Sequence, residues 1–200
     1  MKKLNKTSFF IHNNNEENYM KKKYLLVISM LIMILGTFGC ELMQITPKKK
    51  VELLLSDYQN NNDMIISELN DYIKTIATDD STFEEYKKVY LRQYQDLKYE
   101  IKDETIDGDH AKVTAQIDVY DYYKADTEAK TFITNNPNEF TNNGVYDSKK
   151  GILYRIESLS KTNDRVTYTI TINLTKVNNE WTIDNLTEED LEKIHGTFIH

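Results

Sequence analysis

The apolar positions of the chain change period part-way along. Val51, Leu54, Leu55 and Tyr58 recur at helical spacing, as do Ile65, Leu69, Tyr72, Ile73 and Ile76. Asn60-Asn61-Asn62 lies between the two sets and predicts a break. Thr46-Pro47 reads as an N-cap followed by a first-turn proline. Thr82-x-x-Glu85 reads as a capping box that opens a third helix, with Phe83, Tyr86, Tyr90 and Tyr94 on one face. The period then becomes two. Leu97, Tyr99 and Ile101 alternate with charged residues, and beyond Asp107-Gly108, a hairpin dipeptide, so do Val113, Ala115, Ile117 and Val119 with polar ones. A second hairpin runs from Val166 through Leu174, turns at Asn178-Asn179 and returns through Trp181 and Ile183.

Between the hairpins, residues 125–134 and the set Ile152, Ile156, Leu159 predict helices around a loop at 135–147 punctuated by Pro137 and Gly144. Thr187 and Gly196 bracket a final helix with three acids in its first turn. Strands with one apolar and one polar face imply a single antiparallel sheet covered on one side by helices, an α+β domain.

Residues ahead of this domain obey another pattern. After Met20 come Lys21-Lys22-Lys23, an apolar run from Tyr24 to Leu35, and Gly36-Thr37-Phe38-Gly39-Cys40. A basic start, a short apolar run and small residues before a cut make a secretory signal peptide. The run is shorter than the ~20 residues that span a bilayer. Residues 1–19 do not fit a signal peptide and place the polar run Asn13–Asn18 ahead of a complete one, so translation is expected to start at Met20, with Met1 as the alternative. The expected organisation is thus an extension at 1–19, a signal peptide at 20–39, a tether at 40–46 and a domain at 47–200.

Charge sharpens this division. The chain carries a net −7; its first 39 residues hold six lysines and two glutamates, so the remainder holds 19 basic and 30 acidic residues, a net −11. Such a surface excludes nucleic acid as a partner. Lys48-Lys49-Lys50, in the first helical turn, are either solvated or face anionic lipid headgroups.

Cys40 is the only cysteine, so no intrachain disulfide is possible. With Gly39 it resembles the lipobox of bacterial lipoproteins, although Thr37 and Phe38 depart from the usual Leu and small residue. Further along, the Pro47-Lys48 helix start, the strand Asp118-Val119-Tyr120-Asp121-Tyr122-Tyr123 and the ending Trp181-Thr182-Ile183-Asp184-Asn185-Leu186 resemble small Firmicute lipoproteins of unknown function. The order of elements over 47–196 resembles the NTF2-like (cystatin-like) group. The resemblance implies a lipid on Cys40, an extracytoplasmic address at the cell membrane, and a curved sheet wrapped into a cone around a helix. It implies no reaction.

Candidate chemistry is sparse. On the apolar row of the second strand the alternation continues past Val119 to Asp121 and Tyr123, with Tyr99 and Tyr168 on neighbouring rows. Tyr99, Ile117, Asp121 and Tyr168 are therefore the candidate pocket of the cone, and a buried Asp121 is the candidate general base. The competing reading of Asp121 is a cap for the segment that begins near Lys124. Tyr120, Tyr122 and Tyr123 read either as an exposed contact surface or as aromatics favoured in a sheet. His110, His195 and His200 have no metal-ligand spacing, and no phosphate loop or nucleophile elbow is present, so no cofactor or metal is expected. The expected function is a non-enzymatic binding or protein-interaction module at the membrane surface. A small apolar-ligand carrier using the cone is the alternative, and a hydrolase or isomerase using Asp121 comes third.

Overall fold

A computed structural model describes residues 45–200, which form a compact unit with its own core. The expected extension, signal peptide and lipidation site at Cys40 lie outside the described residues.

Three helices come first: α1 (Pro47–Gln59), α2 (Asp63–Ile76) and α3 (Asp80–Gln95). Thr46 caps α1 by accepting the Lys49 N–H, with Pro47 in the first turn where its missing N–H costs nothing. The asparagine run breaks the chain as expected: Asn61 takes a positive φ of 53° and Asn62 caps α2. Each helix buries a stripe spaced by three or four residues. In α1 it is Val51, Leu55 and Tyr58, and in α2 Ile65, Leu69 and Ile73. One boundary differs from the sequence reading. The N-cap of α3 is Asp79, and Thr82 is the third residue of the helix, where its hydroxyl accepts the Asp79 N–H. Asp79 accepts through a carboxylate oxygen on Thr82 N–H, so the box sits three residues earlier.

Strands β1 (Lys98–Asp107), β2 (His110–Tyr120), β5 (Arg165–Val177) and β6 (Glu180–Ile183) form one antiparallel sheet in the order β1-β2-β5-β6. The first hairpin loop is Gly108-Asp109, with Asp107 opposite His110. Glycine thus occupies the first central position at a φ of 58°, one residue later than an Asp-Gly turn. The second turn, Asn178-Asn179, has positive φ at both positions, which asparagine tolerates. Lys102 is the extra residue of a bulge in β1, and beyond it the strand leaves the core. On β2 and β5 alternate residues are buried, from Ala111 to Val119 and from Tyr168 to Leu174. The helices cover that face, and the polar alternates, such as Thr114 opposite Thr171, face outward.

An excursion joins β2 to β5: α4 (Tyr122–Asn135), a 3-10 turn at Pro137–Phe140, the two-residue strands β3 (Thr141–Asn142) and β4 (Val145–Tyr146), and α5 (Ser148–Lys161). The expected loop is thus partly ordered into a small hairpin around Asn143-Gly144. β2 also ends earlier than the alternation suggested. Asp121 leaves the strand and caps α4 through its side chain on Lys124 N–H, so Tyr122 and Tyr123 are helical. Finally α6 (Glu188–His195) is capped by Thr187 and ends at Gly196 in the left-handed conformation.

Candidate functional site

The sheet row named from the sequence resolves into two kinds of position. Tyr99 faces Ile117 across β1 and β2, and Ile117 faces Tyr168 across β2 and β5, so the three share one face. Ile117 is fully buried between its neighbours and is a core residue. Tyr99 turns to α1, its hydroxyl donating to the Glu52 carbonyl at 3.4 Å. Two strand spacings, about 10 Å, separate it from Tyr168. Asp121 and Tyr168 do come together, through the segment beyond α6. Tyr168 Oη donates to the Phe198 carbonyl at 3.0 Å and lies 3.2 Å from His200 Nδ1, while His200 Nε2 lies 3.3 Å from Asp121 Oδ2. Burial, and second the Asp121 charge, push the Tyr168 hydroxyl up to about 12.

Asp121 is 5% exposed, and its Oδ1 is held by the Lys124 amide as the N-cap of α4. This little network pairs its own polar groups, with only the His200 ring largely exposed. Neither it nor Tyr99 and Ile117 borders the open space between the helices.

The tyrosines nearby do not form an exposed contact surface. Tyr122 is wholly buried and donates to the Val89 carbonyl at 2.9 Å. Tyr120 is stacked on it and covered by the Arg92 and Arg165 guanidinium groups, 3.9 and 4.8 Å from the ring centre. Arg165 also pairs with Asp118, and Gln93 bonds both the N–H and the carbonyl of Tyr120. These contacts lock the end of β2 to α3.

The open site lies elsewhere, between α1, α2, α3 and α6. A cavity of about 330 Å³ is walled by Tyr58, Tyr72, Tyr94 and His195, floored by Ile65 and Leu69, and bordered by Glu68, Glu188 and Glu192. That volume falls at the small end of ligand cavities. Each helix contributes a residue from its buried stripe. Tyr58 ends the stripe of α1, Leu69 belongs to that of α2, Tyr94 to that of α3, and His195 to that of α6. The rings brace one another: Tyr58 meets Tyr94 edge-on at 4.9 Å, and Tyr72 lies 4.5 Å from the His195 ring.

His195 is 6% exposed, and its Nε2 is 2.8 Å from the Tyr94 hydroxyl. Burial holds its pKa down to about 4, so it is neutral at pH 7. Burial pushes the Tyr94 and Tyr58 hydroxyls well above the usual tyrosine range, with Tyr58 raised further by Glu68. The Tyr72 hydroxyl lies 3.2 Å from that of Tyr90. The Tyr58 hydroxyl has no hydrogen-bond partner among the described residues, and Tyr58 lines the cavity. A wider groove of about 770 Å³ adjoins, sharing Tyr58, Ile65, Glu68 and Leu191 and running to Leu53, Met64 and the β6–α6 connection.

Sequence reasoning missed this site because it treated His195 as a helix-end histidine. A signal was present: Leu191, Ile194 and His195 stand at i, i+3 and i+4, which puts the imidazole on the apolar face of α6. Among the described residues no group of three or more His, Cys, Asp or Glu is placed to hold a metal ion. No helix among them is long and apolar enough to cross a membrane.

No protein-family model matches the chain, and no curated protein is detectably similar to it. Among solved structures, YcdA of Bacillus subtilis, provisionally classed as a lipoprotein, is similar with a TM-score of 0.42 and 14% sequence identity. The match covers 68% of this chain and 46% of YcdA, so the chain spans about half the length of that protein. A likeness at this level transfers neither fold family nor function.

Proposed function

We propose that the chain is a lipid-anchored, extracytoplasmic binding module that holds a small ligand in the cavity between α1, α2, α3 and α6 and does not transform it. The observation that carries this reading is the cavity itself, walled by tyrosines from buried helix stripes and left with an unpartnered hydroxyl. A site built on packed helices is held in place before a ligand arrives. The non-catalytic part of the proposal is supported by the condition of the titratable groups. Asp121, the candidate base, spends its carboxylate on an N-cap and a histidine contact.

The address is proposed from the signal pattern and Cys40, with a tether of only a few residues that reaches about 20 Å when extended. An NTF2-like cone is proposed from three helices ahead of an antiparallel sheet whose covered face carries the core. A protein partner is the second reading, favoured by the exposed Phe132, Val145, Tyr146 and Leu153 on the α4–α5 excursion, with Val145 70% exposed.

Native mass spectrometry of the Ile45–His200 unit, after incubation with a lipid and metabolite extract, tests the first reading. A defined adduct is expected, lost in Leu191→Trp, which fills the cavity mouth from α6. An adduct retained by that variant, or none at all, overturns the assignment of the cavity.

A further inference from the structure

We infer that the ligand of this cavity is a small free organic cation, an alkylated ammonium group on a compact apolar body. The inference deepens the binding reading above and rests on it. It arises from a mismatch of charge. Glu68, Glu188 and Glu192 border the cavity on its solvent side, all three exposed, and none of them has a cationic partner among the described residues. No lysine or arginine lines it. His195 is neutral at pH 7 and does not offset the three carboxylates. The adjoining groove is acidic as well, with Lys50 its one cation beside Asp57, Asp184 and the shared Glu68.

Inside, the walls are aromatic. Tyrosine rings carry a negative π-face that attracts an ammonium group, more strongly where water is excluded. Tyr58 is 2% exposed and lines this space, and its hydroxyl has no protein partner among the described residues, which leaves it to water or a guest. The other wall hydroxyls are engaged, Tyr94 with His195 and Tyr72 with Tyr90. With the free carboxylates at the border and the inner wall made mainly of rings, the interior suits an alkylated ammonium, which brings few or no N–H donors, better than a primary amine, which brings three. The acidic border also selects against a phosphate or carboxylate close to the cation. That favours a free amine over a zwitterionic lipid headgroup.

Calorimetric titration of the Ile45–His200 unit with choline, benzyltrimethylammonium and the neutral tert-butyl isostere of choline tests the inference, alongside sedimentation with phosphatidylcholine vesicles. The two cations are expected to bind, the neutral isostere about tenfold more weakly, and the vesicles to leave the protein in solution. The double variant Glu68→Gln, Glu192→Gln, whose side chains are not part of the core, is expected to weaken the cations about threefold to tenfold and to leave the isostere unchanged. Equal affinity for cation and isostere overturns the charge argument while leaving a binding cavity in place. Retention on vesicles without binding of free cations overturns the free-ligand assignment. Failure of all probes, together with no adduct from the extract, removes the binding reading itself.

Discussion

Two regions of this domain use the same three residue types, tyrosine, histidine and carboxylate, and differ in what each leaves unpaired. At the end of the sheet, Tyr168, His200 and Asp121 are bonded to one another, to the Phe198 carbonyl and to the first turn of α4. Between the helices, Tyr94 and His195 are paired, but Tyr58 and three glutamates are not. A closed polar set holds structure together, because its groups recover in the fold the hydrogen bonds they lost from water. An open set around a void has capacity left over. Side-chain chemistry alone does not separate the two; the hydrogen-bond inventory does.

Gly196 joins the regions and offers the strongest way to break the comparison. It comes directly after His195, its carbonyl accepts the Tyr123 N–H, and its φ is 71°. An added Cβ meets the Tyr120 carbonyl and Gln93 Nε2 at impossible range. Gly196→Ala is expected to cost about 3 kcal/mol or more from left-handed strain and overpacking, read as a lower midpoint in urea unfolding. A variant as stable as the parent means that the two regions are not locked through this residue.

Next in size is a pH effect confined to the cavity. The imidazole of His195 resists protonation until about pH 4, while the unfolded chain takes up that proton near 6.5. Protons therefore favour the unfolded state, and stability falls as pH drops from 6.5 towards 4. The loss between pH 7 and 5 is expected to be about 2 kcal/mol, and to shrink in His195→Phe. Urea midpoints for the two proteins at both pH values measure it. An unchanged slope in the variant assigns the titration to other groups.

The smallest effect belongs to the sheet-end network. Asp121→Ala removes the cap of α4 and is expected to cost about 1 kcal/mol, whereas Asp121→Asn keeps a capping side chain and costs a few tenths. Thermal melts of both variants check this. A large loss in Asp121→Asn gives the charge a role beyond capping.

Much of the architecture was legible because it is local. The helices of residues 47–95 and the paired strands came from period and turn chemistry. Even the two-residue turns announced themselves through Gly108 and Asn178-Asn179. Boundaries moved where two nearby residues are both competent caps, as with Asp79 and Thr82, each of which accepts the other's N–H at the start of α3. Asp121 shows the other limit. Its place on an alternating row suggested a pocket, but an aspartate before a helical run is also an N-cap, and capping ended the strand at Tyr120.

The sequence by itself determined the α+β composition of the domain, its acidic surface and the expectation of a lipid on Cys40. These depend on neighbours within a few residues or on totals. Only the tertiary structure decided which tyrosines enclose a cavity, that His195 is buried and neutral, and which carboxylates go unpaired. Tyr58, Tyr94 and His195 come from three helices separated by as many as 137 positions, and no local pattern encodes whether such stripes meet flush or leave a space. The shape of that space depends on how ridges of side chains on the helices interdigitate, a property of the packed whole.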